Sequence, residues 1–199
     1  PDASRRTALT VLAQRAFEQK DYAQAEQRYA QLLQLSPATG SNAAAARRDL
    51  EDRLAASIYQ QGDLARSAGR WQDASKHFER VSQAAPGSSV RANALFDQAA
   101  AQIAGEQWDA AAKSLEAFRQ QHATHALAAE VPAKLAAVYL ALNRPGPAAA
   151  EFERLAAGSN PPEVARSALW QAAQLHAKAG ASAAANKAWE QYVRRYPVP

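Results

Sequence analysis

The sequence contains no cysteine and no methionine. Without cysteine, the chain has no disulfide, no thiolate zinc site and no thiol nucleophile. Long apolar runs are also missing, since no stretch approaches the roughly 18–20 residues that a membrane-spanning helix needs. No signal peptide is visible, and the first residue is Pro1 rather than methionine. We therefore interpret the sequence as a fragment of a longer protein.

Recognisable catalytic motifs are missing too. G-x-S-x-G, the P-loop and G-x-G-x-x-G do not occur in the sequence. The formal charge is only +4, from 23 basic and 19 acidic residues that are spread along the chain. A dedicated nucleic-acid surface would cluster its lysines and arginines. These absences favour a protein that is not an enzyme, holds no cofactor or metal and does not bind nucleic acid.

One stretch, residues 20–37 (KDYAQAEQRYAQLLQLSP), recurs five times in degenerate form. Its pattern is an aromatic residue at a turn, an alanine, a large residue, an apolar residue and a proline: Tyr22, Ala25, Tyr29, Leu32 and Pro37. The copies align on an alanine: Ala25, Ala74, Ala111, Ala148 and Ala185. The first spacing is 49 residues and the other three are 37. A fixed period of this size indicates an array of stacked supersecondary units.

Each copy is predicted to form the second helix of a two-helix unit. In the first unit, apolar residues recur at helical spacing before the turn at residues 19–21 and again after it. Two helices joined by so short a turn pack antiparallel, and the alanine on each lets the other approach closely. One such pair cannot bury its apolar stripe alone, so we expect the pairs to stack and share their stability.

This pattern of small residue, turn, alanine, large residue, apolar residue and proline resembles the tetratricopeptide repeat. The resemblance implies an all-α fold, a right-handed α-solenoid of antiparallel helix pairs (a TPR-like superhelix) that forms a single array over residues 1–199. The five expected units are 3–37, 42–86, 88–123, 126–160 and 162–197, of which the second has a long first helix. The family implies a non-catalytic scaffold that binds a peptide or partner domain on its concave face.

The repeat length indicates which members of the family the sequence resembles most. The usual period of the family is about 34 residues, whereas three spacings here are 37. The longer form is similar to repeats of bacterial cell-envelope proteins, such as the TolA-binding cell-division coordinator and the lipoprotein of the outer-membrane assembly machine. We therefore expect a periplasmic protein, with the cytoplasm as the alternative.

The first spacing carries twelve extra residues, which fall within residues 41–54. Ser41 or Asn42 can cap a helix, and the pattern predicts one long helix from about Asn42 to about Ser67. The insertion would lengthen this helix by about 18 Å. It either overhangs its neighbours or acts as a lever that docks another domain. Farther on, Ser88 or Ser89 is expected to cap the first helix of the third unit.

By the register of the family, the first helices line the concave face. The candidate partner-binding residues are Tyr59, Asp63, Arg66, Asn93, Phe96, Asp97, Lys134, Trp170 and Gln174. Three of them, Tyr59, Phe96 and Trp170, share one register position, where rings supply contact area and polar neighbours hold a peptide backbone. The alternative is that these rings pack between repeats. The groove hypothesis requires at least one of them to be exposed on the inner face of the array.

Several other features favour ordinary structural roles. His122 and His125 form H-x-x-H but have no third ligand nearby in the sequence, so we interpret them as a solvated loop pair rather than a zinc site. Glu51 and Glu151 have an arginine close by in sequence and read as parts of solvated helix faces. The carboxylate clamp of chaperone-binding family members is not reproduced.

Two other functions remain open. The chain could be a regulatory or substrate-recruiting module fused to an enzyme. It could also be a self-assembly element, because the face after Tyr192 is apolar and would associate weakly with another copy through the terminal repeat.

Overall fold

The computed structural model describes residues 2–35 and 43–197 of the chain. These residues form ten α-helices and one short 3-10 helix, and no β-strand lies among them. The predicted all-α fold of packed helix pairs is therefore confirmed. The chain divides into two compact units, and the boundary falls between Gly105 and Glu106, inside the third expected repeat. The closing proline of the first repeat, Pro37, and the caps expected at Ser41 and Asn42 lie outside the described residues.

The first unit contains five helices, each packed on the next along the chain. They are α1 (Asp2–Glu18), α2 (Tyr22–Leu35), α3 (Ala43–Ser67), α4 (Trp71–Ala84) and α5 (Arg91–Ala104). The two first helices α3 and α5 also contact each other. Tyr29, Ile58, Phe78 and Val81 fill the core together with closely packed alanines.

The second unit contains the other five helices. They are α6 (Trp108–Gln121), α7 (Val131–Ala141), α8 (Pro145–Ala157), α9 (Pro162–Lys178) and α10 (Ser182–Arg195), and the 3-10 helix Ala126–Glu130 precedes α7. Each helix again packs on the next. Phe118, Leu115, Leu135 and Val138 are fully buried here.

The turn inside every helix pair has the same backbone geometry. A residue with positive φ stands five positions before each of the five aligned alanines: Lys20, Gly69, Glu106, Asn143 and Gly180. In the second pair, the Gly69 N–H donates to the Arg66 carbonyl and the Arg70 N–H donates to the Ala65 carbonyl, which is a Schellman motif. The five repeats predicted from the sequence therefore also share the backbone conformation of their turns.

This geometry predicts opposite effects for two glycines of the second unit. Gly180 has φ +74°, and no atom lies within 4 Å of the place that a Cβ would occupy, so Gly180→Ala should lower the free energy of unfolding by about 1 kcal/mol through backbone strain alone. Gly146 lies in the first turn of α8, where a Cβ would be 3.9 Å from its nearest neighbour. Gly146→Ala should therefore raise the free energy of unfolding by about 0.5–1 kcal/mol. Urea unfolding followed by circular dichroism measures both, and equal signs for the two variants would contradict the assignment.

The long helix expected from about Asn42 to about Ser67 is confirmed as α3, which begins at Ala43 and ends at Ser67. Its inserted turns do not simply overhang their neighbours. Leu50 packs against the core of the first unit, and Glu51 is buried and accepts a hydrogen bond of 3.0 Å from the Gly87 N–H. The extra turns therefore hold the loop between α4 and α5.

The serine expected to cap α5 does not directly precede the helix. Helix α5 begins at Arg91, and Val90 precedes it without a side-chain cap. The Ser88 hydroxyl accepts a hydrogen bond from the Val90 N–H and donates one to Asp52. Because Asp52 belongs to the inserted turns, Ser88 connects these turns to the backbone at the start of α5.

Candidate protein-binding surface

Four of the predicted surface residues form one polar cluster in the first unit. The Tyr59 hydroxyl, on α3, donates a hydrogen bond to Asp97 on α5. Arg66 lies 3.3 Å from Asp97 and 2.7 Å from Asp63, measured between guanidinium nitrogen and carboxylate oxygen. The cluster therefore connects neighbouring first helices, as the register of the repeat predicts. We call Tyr59, Asp63, Arg66 and Asp97 the polar cluster.

A buried ring supports this cluster from below. Phe78 on α4 is fully buried. Its ring centroid lies 5.1 Å from that of Tyr59, and the Arg66 guanidinium carbon lies 5.9 Å from it. Gly62 makes room for the ring, because a Cβ at that position would stand 2.6 Å from Phe78 Cε1. The cluster thus has a rigid base.

Burial raises the pKa of two groups in the cluster, Tyr59 and Asp63. Burial raises the pKa of the Tyr59 phenol well above its ordinary value, and the hydrogen bond to Asp97 adds to the rise. Burial also raises the pKa of Asp63; Arg66 opposes this rise and Asp97 adds to it. Tyr59 therefore remains a hydrogen-bond donor at neutral pH.

The remaining candidates of the first unit differ in exposure. Asn93 is exposed on α5, one turn before Asp97. Phe96 has only 6% of its surface exposed. A buried ring offers no contact area to a ligand, so we leave Phe96 out of the binding surface proposed below.

The candidates of the second unit lie on α7 and α9. Lys134 is partly exposed, and its ammonium nitrogen lies 4.0 Å from a Glu130 carboxylate oxygen. Trp170 is 44% exposed, and Gln174 is exposed one turn farther along α9. The Trp170 ring makes edge-on contacts with Trp189 and Tyr192 of α10, with centroids 4.6 and 5.3 Å apart. Of the three rings that share a register position, Trp170 is therefore exposed, Tyr59 is partly exposed and Phe96 is buried.

Two carboxylates that the sequence assigned to solvated helix faces are buried instead. Glu51 is 7% exposed and Glu151 is 2% exposed. Both Glu151 oxygens accept hydrogen bonds from Arg119 Nη1, at 2.8 and 3.0 Å, and Arg154 donates a further one. Arg119 is 32 residues from Glu151 in the sequence. Residue spacing along one helix therefore could not reveal this pair.

His122 and His125 lie in the loop between α6 and the 3-10 helix, as expected, but they are not fully solvated. Both side chains are half-buried, and their rings lie 5.3 and 5.7 Å from the Phe118 ring. Within residues 2–35 and 43–197, no group of histidines and carboxylates could hold a metal ion. None of the helices in those ranges is long and apolar enough to cross a membrane.

Comparison with known proteins agrees with this geometry. Residues 93–125 and 167–197 match the family model described as Tetratricopeptide repeat. The crystal structure of BtubC (BKLC) from P. vanneervenii is similar, with 18% sequence identity, a TM-score of 0.50 and coverage of 94% of this chain and 77% of that chain. A search of the curated proteins gives no match.

Two further solved structures have lower TM-scores. A putative kinesin light chain of Podosopora anserina with TPR-like repeats has 19% identity, a TM-score of 0.45 and coverage of 98% of both chains. PilF of Pseudomonas aeruginosa has 14% identity, a TM-score of 0.45 and coverage of 100% of this chain and 95% of that chain. The two matched segments, which fall on α5 with α6 and on α9 with α10, have the sequence pattern of the tetratricopeptide repeat.

Proposed function

We propose that this chain is a non-catalytic scaffold that binds a peptide or partner domain on the face formed by its first helices. Tetratricopeptide repeats generally mediate protein–protein interactions. The observation that carries the proposal is the polar cluster, which joins α3 and α5 and remains partly open to solvent. Asn93 is a further proposed contact of the first unit. Lys134, Trp170 and Gln174 are proposed contacts that the second unit makes by itself.

The polar cluster suits recognition of a polypeptide because it is already assembled. The Arg66 side chain is 40% exposed although it pairs with two carboxylates. Its donors are therefore oriented before a partner arrives, and little side-chain ordering is needed on binding. Arginine and tyrosine are among the residues that most often dominate the energy of protein interfaces.

The test uses a partner isolated with the wild-type chain, whose affinity is then measured by calorimetry. Arg66→Ala should weaken binding about tenfold or more, because it removes the oriented donors. Arg48→Ala is the matched control, since Arg48 is exposed on the same helix and outside the cluster. Asn93→Ala changes only an exposed side chain, so it should leave the fold intact. Its affinity for the partner is a second test of the surface. Unchanged affinity in both Arg66→Ala and Asn93→Ala would refute the proposed surface.

We further propose that the protein works in the periplasm of a bacterial cell envelope. This rests on the 37-residue spacing and on the alanine- and glutamine-rich composition. Fractionation of the source cells with an antibody against the chain tests it, and recovery in the cytosol would refute it.

A further inference from the structure

The inserted turns of α3 form one wall of a cavity of about 440 Å³. Its other lining includes Phe17 of α1, Tyr29 of α2, Ala56 of α3 and Val90, which lies just before α5. All of these residues belong to the first unit. Without the twelve-residue insertion, the chain would lack the acidic part of the wall, which Asp49 and Asp52 provide.

Most of the lining is apolar. Tyr29 is 2% exposed, whereas Phe17 and Val90 are half-buried and keep part of their surface open to the cavity. A surface of this kind accepts a hydrocarbon chain or a ring and gains stability by removing it from water. The volume is large enough for one long side chain.

Among the charged residues that line the cavity, Asp52 has no cationic partner. Arg53 Nε lies 2.8 Å from an Asp49 oxygen, so this pair is neutral as a unit. Asp52 Oδ1 accepts three hydrogen bonds from Ser88 and Ser89, at 2.7, 2.8 and 3.1 Å. The bond from the Ser88 hydroxyl is the largest of the effects that lower the pKa of Asp52. Among the described residues, no basic side chain pairs with Asp52.

We propose that this cavity receives a lysine or arginine side chain of the partner protein. The hydrocarbon stem lies on Phe17, Ala56 and Val90, and the charged group pairs with Asp52. Long basic side chains combine an apolar stem with a cationic end, and the half-buried Phe17 ring adds an attraction for the cation. A neutral apolar side chain would form no ion pair with Asp52, and the Asp52 charge would repel an acidic side chain.

The inference deepens the proposed function and rests on it, because the cavity and the polar cluster lie along one helix. Asp52, Ala56, Tyr59, Asp63 and Arg66 follow one another at spacings of three and four residues, which places them on one side of α3. The distance from Asp52 to Asp63 along the helix axis is about 16 Å. An extended peptide covers that distance in about five residues. The partner segment therefore carries its basic residue about five positions from the part that contacts the polar cluster.

The experiment is an NMR titration of the isotope-labelled full chain with two short peptides. One is N-acetyl-Ala-Arg-Ala-amide, and the other carries citrulline, a neutral isostere, in place of arginine. The arginine peptide should shift the backbone amide signals of Ala56, Ser89 and Val90 with millimolar affinity. The citrulline peptide should bind about fivefold more weakly, which corresponds to one partly exposed charge pair.

Asp52→Asn is the deciding variant, because the asparagine oxygen keeps the acceptor that Ser88 and Ser89 use. It should remove the difference between the two peptides. Asp73→Asn, on α4 and outside the cavity, is the matched control and should preserve it. Equal binding of both peptides to the wild type, shifts confined to other residues, or no shift up to about 10 mM peptide would each overturn the inference.

The result is separable from a failure of the proposed function. The tripeptide is too short to reach the polar cluster, so Arg66→Ala should leave its binding unchanged. If Asp52→Asn has no effect on the peptides while Arg66→Ala still weakens the partner, the cavity assignment fails and the binding surface stands.

Discussion

Phe78→Ala is expected to lower the free energy of unfolding by about 3–5 kcal/mol, because it removes a large, fully buried ring and leaves a cavity. The ring packs against Gly62 and Tyr59 of α3, so the loss falls at the contact between α3 and α4. Urea unfolding followed by circular dichroism gives the free energy. Phe152→Ala, on a half-buried phenylalanine of the second unit, is the control and should cost less.

The close contact between Gly62 and Phe78 adds a second measurable effect. Gly62→Ala alone should destabilise the fold, because strain against the buried ring outweighs the gain of about 1 kcal/mol in helix propensity. Combined with Phe78→Leu, which withdraws ring atoms, the same change should be tolerated better, with a coupling energy of about 1 kcal/mol. Strictly additive effects of the two changes would show that the contact is not formed.

Phe78→Ala should also disturb the binding surface. Tyr59 and Arg66 rest on the Phe78 ring, and without it their side chains gain freedom that a partner must remove on binding. Under conditions where the variant remains folded, its affinity for a partner should fall although no residue of the polar cluster has changed. Core and surface are coupled at this position.

The sequence predicted those features that depend on local spacing. The period of 37 residues placed the turns, and each turn has its positive-φ residue five positions before the aligned alanine. The helix from about Asn42 to Ser67 followed from the absence of any break in the pattern. Such features are set by residues close together in the chain, so one sequence is sufficient to find them.

The sequence could not predict features that depend on which side chains meet across the repeats. Tyr59, Phe96 and Trp170 share a register position, yet Phe96 is buried while Trp170 is 44% exposed. Register shows the side of a helix on which a residue lies, but exposure depends on what packs against that side. The prediction for Glu151 was wrong for the same reason. Its neighbour Arg154 suggested an ion pair on the surface, and nothing in the sequence indicated that the distant Arg119 also pairs with it.

Arg119→Met is expected to lower the free energy of unfolding by about 2–3 kcal/mol. The change removes two hydrogen bonds from Glu151, which is 2% exposed and cannot recover them from water. Removing one partner of a buried ion pair costs about 3–5 kcal/mol. The expected loss is smaller here because Arg154 still pairs with Glu151 and because Arg119 itself is 35% exposed.

The double variant Arg119→Met/Glu151→Leu distinguishes the cost of the buried Glu151 charge from the lost packing of the Arg119 stem. Replacing a buried ion pair by apolar residues of similar volume is often close to neutral, so the second change should recover most of the stability that the first removes. Arg166→Met, on an exposed arginine of α9, is the control and should have little effect. If the double variant is as unstable as Arg119→Met, the loss comes from packing of the arginine stem rather than from the Glu151 charge. If it is restored, the ion pair between α6 and α8 serves mainly to neutralise a carboxylate that the fold has already buried.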